Sequence, residues 1–264
     1  MIEFQNASFN YAGEQAVRDV SFRLEKGEFA AVIGENGAGK TTVAKLCNGL
    51  LKPTAGTVCV NGMDTRTTRA SRIARSVGIL FQNPDMQICQ NTIREEILFG
   101  LQYTMDDPAE RARRCDEVLC EFGFDGGRNP FSTSRGERQR IALASLMACR
   151  PEVLILDEPT TGLDYRECME VMEKIRLSNE RGATVMMVSH DMEIVQDFAR
   201  RVLVVADGEL IGDGPTGEIM TDVELLSRAS VAPAQIPALA LRFGDMFPGV
   251  FTVRQMADAI ERRL

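Results

Sequence analysis

The chain has 264 residues, of which 44% are hydrophobic and 26% are charged, as in globular proteins that bury a full core. Its 38 acidic residues outnumber its 30 basic residues, so the formal net charge is -8. Because proteins that bind nucleic acid or anionic surfaces by charge carry a basic excess or patch, we expect no nucleic-acid partner. The seven cysteines and one histidine favour neither a disulfide framework nor a zinc site, and no signal peptide or membrane span is expected.

Hydrophobic patterning predicts an α/β protein with a mostly parallel sheet. Residues 2–33 indicate short strands, and the continuous apolar run Phe29–Ile33 is typical of a strand buried on both faces. A helix is predicted from Lys40, and helical patterning dominates residues 92–149 with one loop at 123–134. Further strands are predicted at 57–60, 77–81, 153–157, 184–188, 202–206 and 209–211. This alternation of strands and helices favours helices on both faces of one sheet, without an internal repeat.

A glycine-rich segment that follows the strand Phe29–Ile33 carries the first chemical signal. Residues 34–41 match G-x-x-x-x-G-K-[ST] between a strand and a helix. Glycines let the backbone curl so that N–H groups face phosphate oxygens, and the helix N-terminus adds its dipole. A glycine-rich turn before an ordinary helix is the alternative, but the context favours a nucleoside triphosphate site. The candidate nucleotide-binding residues here are Gly34, Asn36, Gly37, Gly39, Lys40, Thr41 and Thr42.

Two later strands end in polar residues. The strand 153–157 ends in Asp157 and Glu158, where one carboxylate can hold a Mg²⁺ shell and the other can polarise a water molecule. A solvated turn is the alternative for this pair. The lone histidine, His190, follows the strand 184–188, and parallel sheets bind ligands at such carboxyl ends. Its alternative role is to cap the next helix or to pack at its edge.

With these residues in place, residues 1–227 resemble the nucleotide-binding subunits of ATP-binding cassette (ABC) transporters. The resemblance implies a P-loop NTPase fold: a RecA-like, mostly parallel sheet, an N-terminal antiparallel β subdomain and a helical subdomain over about 88–149. Residues 228–264 would form a small helical C-terminal extension. The implied ligands are ATP and Mg²⁺, and the implied activity is ATP hydrolysis.

The resemblance also assigns roles within the site. Tyr11 matches the aromatic residue that stacks on adenine. Glu158, His190 and Gln82 match catalytic positions, with Gln82 linking Mg²⁺ and the γ-phosphate to a transmembrane partner. The implied metal ligands are Thr41, Gln82 and Asp157.

The signature segment departs from the family pattern. Where the family has Leu-Ser-Gly-Gly-Gln, this chain reads Thr133-Ser134-Arg135-Gly136-Glu137. The family directs the positions of Ser134 and Gly136 at the γ-phosphate of the other subunit, so Arg135 adds bulk and charge at that place. Ser134 and Glu137 also form a capping-box pattern that predicts a helix over 135–149, and both interpretations can hold together.

Two segments resemble the energy-coupling factor (ECF) branch, which drives modular importers of vitamins and transition metals. Residues 81–87, Phe-Gln-Asn-Pro-Asp-Met-Gln, match a segment that shapes the groove for a coupling helix. In the tail, Thr252 and Gln255 predict a capping box. An apolar stripe follows at Val253, Met256, Ala257, Ile260 and Leu264. Packing on its own domain and dimerisation explain the stripe equally well, and the resemblance favours dimerisation.

These observations predict an ATPase subunit that acts as a head-to-tail dimer at the cytoplasmic face of the cell membrane. Its expected partners are a second ABC ATPase subunit (a paralogue or a second copy), a transmembrane coupling subunit and a substrate-binding membrane subunit. Arg135 favours a heterodimer with a paralogue that has an intact signature. The alternatives are a conventional ABC transporter ATPase and a soluble ABC ATPase, such as one of iron–sulfur cluster assembly. A regulatory nucleotide-binding module would not need both Glu158 and His190.

Overall fold

The structure is a computed structural model that describes residues 1–247 and 249–262. The strands are β1 (Ile2–Tyr11), β2 (Glu14–Leu24), β3 (Phe29–Ile33), β4 (Ala55–Val60), β5 (Met63–Asp64), β6 (Val77–Leu80), β7 (Val153–Asp157), β8 (Thr184–Val188), β9 (Arg201–Ala206) and β10 (Glu209–Pro215). The helices are α1 (Lys40–Cys47), α2 (Ala70–Ile73), α3 (Ile93–Leu101), α4 (Pro108–Phe122), α5 (Arg135–Ala148), α6 (Tyr165–Glu180), α7 (Met192–Phe198), α8 (Thr216–Thr221), α9 (Val223–Arg228), α10 (Gln235–Arg242) and α11 (Val253–Glu261).

The strands form two sheets. The first has the order β2-β1-β4-β5 and is antiparallel throughout. The second has the order β10-β9-β3-β8-β7-β6 and is parallel except for β10, which runs antiparallel to β9. The predicted mostly parallel sheet and N-terminal antiparallel sheet are therefore confirmed. The first two strands are longer than expected, with 10 and 11 residues, because they pair as one hairpin.

The register of the six-stranded sheet brings the sites of interest to one edge. Every residue of β3, β7 and β8 is buried, because helices pack on one face of these central strands and α1 with the antiparallel sheet packs on the other. Val32 pairs with Val188 and Asp157 also pairs with Val188, so the three strands end at nearly the same level. The segments that follow β3, β7 and β8 consequently meet at the carboxyl edge of the sheet.

The helical segment between β6 and β7 has one more interruption than the sequence pattern indicated. A short 3-10 turn, Pro130–Ser132, lies in the predicted loop. The prediction of continuous helix before this loop is wrong, because residues 102–107 separate α3 from α4. Asp107 accepts a hydrogen bond from the Ala109 N–H at 2.9 Å, and Pro108 occupies the first helical position. This Asp-Pro pair is a helix-start signal that was present in the sequence.

The C-terminal extension, residues 228–264, contacts the rest of the chain and also has a small apolar core of its own. Ala234 belongs to the main core, and the Gln235 N–H donates to the Glu193 carboxylate of α7 at 2.7 Å. Beyond this point Ala240, Phe247, Val250 and Met256 pack together as a separate cluster.

The last helix begins as its sequence indicated. The predicted capping box between Thr252 and Gln255 is present in both directions, so this prediction is confirmed. Of the apolar stripe, Met256 is buried whereas Val253 is 70% and Ile260 is 44% exposed. Leu264, the last predicted member, lies outside the described residues. Packing within the chain therefore covers only part of the stripe.

None of the helices within residues 1–247 and 249–262 combines the length and the apolar character that crossing a bilayer requires.

Leu154 of β7 tests how strongly the fold depends on the buried parallel strands. It is 0% exposed, so Leu154→Ala should lower the free energy of unfolding by about 2–5 kcal/mol through lost contacts and a residual cavity. Leu50→Ala, at a side chain that is 52% exposed, should change it by less than about 0.5 kcal/mol. Urea unfolding followed by circular dichroism measures both. Equal losses in the two variants would contradict the assignment of β7 to the core.

Candidate nucleotide site

A cleft of about 550 Å³ opens at the carboxyl edge of the six-stranded sheet. Its lining includes most of the residues that the sequence singled out: Tyr11, Asn36, Gly37, Gly39, Lys40, Thr41, Thr42, Gln82, Asp157 and Glu158. Sequence reasoning missed the contribution of Glu14, Gln15 and Ala16 from the β1–β2 hairpin. No motif marks these three residues, since only the packing of the antiparallel sheet against the loop after β3 brings them to the cleft.

Two positions of the glycine-rich loop require glycine. Gly34 has φ 149°, and a Cβ atom there would lie 2.0 Å from the backbone oxygen of Val205. Gly39 has φ 102°, and a Cβ atom there would lie 2.4 Å from the backbone oxygen of Ala16. Any side chain at either position would therefore push the loop away from its neighbouring strands. Gly34 is buried beneath the cleft, and it contributes its carbonyl oxygen to the site.

Lys40, the first residue of α1, lies folded against this loop. Its Nζ donates to the carbonyl oxygens of Gly34 at 2.8 Å and Glu35 at 2.7 Å. The residue is only 8% exposed, and burial lowers its pKa below the usual range, while the carboxylates of Glu158 and Asp157 oppose that shift. A buried ammonium held by two carbonyl groups is a cation ready to exchange these partners for phosphate oxygens.

Thr41 and Asp157 supply oxygen ligands of the kind that Mg²⁺ prefers. The Thr41 hydroxyl donates to the Asp157 carboxylate at 2.8 Å, which joins α1 to the end of β7. Asp157 is 3% exposed, and burial raises its pKa while the bond from Thr41 opposes this shift. Asp157 has no ion pair within the part of the chain that the structure describes, and a buried carboxylate of this kind is suited to a divalent ion. These residues therefore fit Mg²⁺ bound together with phosphate oxygens.

Glu158 lines the cleft and contacts His190, which does not line it. The Nδ1 atom of His190 lies 2.7 Å from Oε2 of Glu158, which is 6% exposed. The alternative role of His190 as a helix cap is wrong, since the Asp191 side chain accepts from the N–H groups of Glu193 and Ile194 at the start of α7. The His190 side chain is instead 69% exposed, so its imidazole is accessible to a ligand.

Tyr11 and Gln82 also line the cleft, and they come from different sheets. Tyr11 ends β1, is 43% exposed and touches the Phe9 ring edge-on, with 4.8 Å between the ring centroids. Its ring face is thus accessible to a planar base. Gln82 is exposed and follows β6 by two residues, so its amide stands near Asp157 and the loop after β7.

Ser134 and Gly136 lie elsewhere, at the start of α5, and neither lines the cleft described above. The capping box predicted for Ser134 and Glu137 is only half formed. Ser134 accepts from the Glu137 N–H at 3.1 Å, but the Glu137 carboxylate pairs with Arg128 at 2.7 Å, so that part of the prediction is wrong. A Cβ atom at Gly136 would lie 2.4 Å from the Gly162 oxygen, which brings α5 against the loop after β7.

Comparison with known proteins assigns this fold and cleft to a family. The ABC transporter family model matches residues 17–161. The energy-coupling factor transporter ATP-binding protein EcfA of Methanothermobacter thermautotrophicus is 42% identical over 88% of this chain and 76% of its own length. A protein of Caldanaerobacter subterraneus subsp. tengcongensis, named provisionally as an ABC transporter ATP-binding protein, is 40% identical over 99% of this chain.

Solved structures agree with this assignment. The structure of cbiO1 from Clostridium perfringens, described as part of the ABC transporter complex cbiONQ, has TM-score 0.75 and 29% identity over 90% of this chain and 97% of its own. The ATP-binding cassette MJ0796, a dimer bound to ADP and Pi in a post-hydrolysis state, has TM-score 0.74 and 26% identity over 82% of this chain and 99% of its own.

The cleft therefore belongs to an ATP-hydrolysing ABC cassette, a class of proteins that uses ATP with Mg²⁺. More particularly, the chain belongs to the ABC transporter ATP-binding family, and its relatives include an ECF transporter ATPase. The chain spans less than half the length of the first curated relatives it matches, 46% in the case of the Caldanaerobacter protein.

Lys40→Met tests the phosphate site, because methionine has an unbranched side chain of similar length but carries no charge. The affinity for ATP should fall by about tenfold to a hundredfold, the equivalent of lost charge-assisted hydrogen bonds. Lys52 offers a matched control, since its Nζ also donates to two backbone oxygens, those of Thr65 and Thr68, away from the cleft. Titration with a fluorescent ATP analogue should show unchanged affinity for Lys52→Met. An equal loss in both variants would refute a specific role for Lys40.

Proposed function

We propose that the chain is the ATPase subunit of an ECF-type importer and powers vitamin or transition-metal uptake while docked on a transmembrane coupling subunit. The observation that carries this proposal is the combination of an ABC cleft with an apolar groove beside residues 81–87. The EcfA relative, at 42% identity, supports the ECF branch. We assign to the cleft the roles implied by the resemblance: Lys40 for phosphate, Asp157 for Mg²⁺ and Glu158 for activation of the attacking water.

The groove has about 1050 Å³ and lies between the parallel sheet and the helical segment. Phe99 is 41% and Tyr103 is 63% exposed, and both line it. Arginine side chains at positions 72 and 75 also line it. Exposed aromatic side chains in a concave surface are typical anchors for a partner helix. We infer that the occupant is an amphipathic coupling helix of the transmembrane subunit.

The segment 81–87 contributes its two end residues, Phe81 and Gln87, to the lining of this groove, and hydrogen bonds hold the segment in place. The Phe81 N–H donates to the Gln87 side chain at 3.2 Å, and the Gln87 amide donates to the Ala142 oxygen on α5 at 3.5 Å. Asp85 pairs with Arg138 of α5 at 2.6 Å. Because the side chains of Asn83, Asp85 and Gln87 are anchored by such bonds, the segment keeps a fixed backbone shape between the groove and the cleft.

The C-terminal extension supports dimerisation through a second surface. Its apolar side chains that remain 42% to 70% exposed are Leu239, Leu241, Phe243, Met246, Val253 and Ile260. Large apolar side chains this exposed, on α10, on α11 and in the segment between them, are costly in water unless a partner covers them. We propose that residues 228–264 pair with the same extension of a second ATPase subunit.

The signature segment favours a paralogue as that subunit. Arg135 is exposed at the start of α5, and no hydrogen bond or ion pair of its side chain is present among the described residues. In a head-to-tail dimer it would face the nucleotide of the other subunit, where the family pattern has glycine. We therefore propose an asymmetric dimer in which the partner's intact signature completes the cleft of this chain.

A conventional ABC transporter ATPase remains the second candidate. It is favoured by the Caldanaerobacter relative, whose name specifies no ECF role and whose length is about twice the matched part. Both candidates share the same cleft, so nucleotide chemistry does not separate them. Docking on an ECF-type coupling subunit does.

Replacing Phe99 and Tyr103 together by glutamate should reduce co-purification with an ECF-type transmembrane coupling subunit by about tenfold or more, because central aromatic anchors dominate such interfaces. The affinity of the purified chain for ATP should stay unchanged. Val223→Glu, at an exposed apolar residue of α9 outside the groove, is the matched control and should leave docking intact. If the wild-type chain binds no coupling subunit of this type, the ECF proposal fails and a conventional ABC transporter ATPase becomes the favoured function.

The asymmetric dimer is tested by ATP hydrolysis of the chain alone and mixed with a paralogue that has an intact signature. The chain alone should hydrolyse slowly, and Arg135→Gly should raise that rate by about tenfold or more by restoring the glycine position. With the paralogue present, the same substitution should leave the rate within about twofold of the wild-type mixture. Rapid hydrolysis by the unmodified chain alone would show that Arg135 is tolerated and would end the heterodimer proposal.

A further inference from the structure

A buried glutamine on α5 touches the residue that we propose as the activator of water. Gln139 is 1% exposed, and its Nε2 donates to the backbone oxygen of Glu158 at 3.4 Å. Its Oε1 has no hydrogen-bond partner among the described residues. An unpaired oxygen in a dry interior is unfavourable, so an apolar side chain of the same length would pack there at lower cost. Packing alone does not account for an amide at this position.

The backbone of Glu158 needs external support. Its φ angle is 54°, in the left-handed region that non-glycine residues adopt only when their surroundings hold them. On one side its N–H donates to the Val188 oxygen at 3.0 Å. On the other side its carbonyl oxygen accepts from the Thr161 N–H at 3.3 Å and from Gln139. Of the bonds between described residues, the one from Gln139 alone ties this peptide group to α5.

Arg138, the residue before Gln139, ties α5 to the neighbouring segments. Arg138 pairs with Asp85 at 2.6 Å and also donates to the Thr133 oxygen. Residue 138 therefore binds the segment beside the groove, while residue 139 binds the loop after β7. Because the bond of 3.4 Å is near the limit of useful length, a small movement of α5 strengthens or breaks it.

We propose that Gln139 is a positioning residue for ATP hydrolysis: it holds the left-handed backbone of Glu158 so that the carboxylate stays beside His190 and faces the cleft. The proposal rests on the role of Glu158 given above. It adds that the position of α5 sets the geometry of this carboxylate. Gln139 is buried and does not line the cleft, so its removal should affect the chemical step and spare the binding of ATP.

Gln139→Met is the test, because methionine matches glutamine in length and lacks both the donor and the unpaired oxygen. In the assembly that hydrolyses ATP, with the paralogue added where needed, kcat should fall by about tenfold to a hundredfold. KM for ATP should change by less than about twofold, since substrate binding is not touched. The melting temperature should not fall, because an unsatisfied buried oxygen has been removed. Gln139→Leu is a second variant of similar volume with the same expected result.

Gln196 provides the matched control. It is a second buried glutamine, 9% exposed, whose Oε1 likewise has no partner in the described part of the chain, and it lies on α7 outside the cleft lining. Gln196→Met should leave kcat within about twofold of the wild-type value. A fall in kcat equal to that of Gln139→Met would overturn the proposal, because the effect would then follow from any buried amide.

Glu158→Gln, assayed in parallel, separates this inference from the proposed function. If Glu158→Gln abolishes hydrolysis while both Gln139 variants keep wild-type kcat, only the positioning role of Gln139 is refuted. If Glu158→Gln hydrolyses ATP normally, the role of Glu158 itself fails. If both Gln139 variants lose stability and hydrolysis together, the residue serves the fold alone and the proposal is overturned.

Discussion

Burial of charge at one edge of the six-stranded sheet is the constraint on which the rest of the structure depends. Lys40, Asp157 and Glu158 are each less than 9% exposed, although isolated ions are costly in a protein interior. They persist because the adjacent strands β3, β8 and β7 end together and supply carbonyl groups, a hydroxyl and an imidazole as partners. A ligand that carries phosphate and a divalent cation satisfies the same groups more fully. The sheet thus prepares the cleft for MgATP before any nucleotide arrives.

The helix α5 connects this charged edge to the surfaces where partners would bind. Its N-cap Ser134 and its first residue Arg135 do not line the cleft of their own chain. Arg138 then reaches the segment beside the groove, and Gln139 reaches Glu158. A helix is stiff over this length, so a displacement at one contact reaches the others. This continuity supports the proposal that docking at the groove and hydrolysis in the cleft are coupled through α5.

The two exposed apolar surfaces, the groove and the C-terminal extension, differ in shape and in the packing beneath them. The groove beside residues 81–87 is concave and is shaped by side chains that bond to α5. The C-terminal extension is instead a thin layer whose own core contains Ala240, Phe247, Val250 and Met256. So small a core leaves little inward room for apolar residues, which explains why Val253 and Ile260 stay exposed. This contrast is consistent with the proposal that the groove binds a membrane partner and the extension binds a second ATPase subunit.

The sequence by itself determined the elements whose chemistry is local. The loop at residues 34–41, the buried strands β3 and β7 and the capping box of α11 follow from short-range patterns, because glycine freedom, apolar periodicity and helix capping act within a few residues. Only the tertiary structure decided which distant groups meet. The β1–β2 hairpin lines the cleft, Glu137 forms an ion pair with Arg128, and Gln139 donates a hydrogen bond to the backbone oxygen of Glu158. These contacts depend on how helices pack on the sheet, and no local pattern encodes packing between segments far apart in the chain.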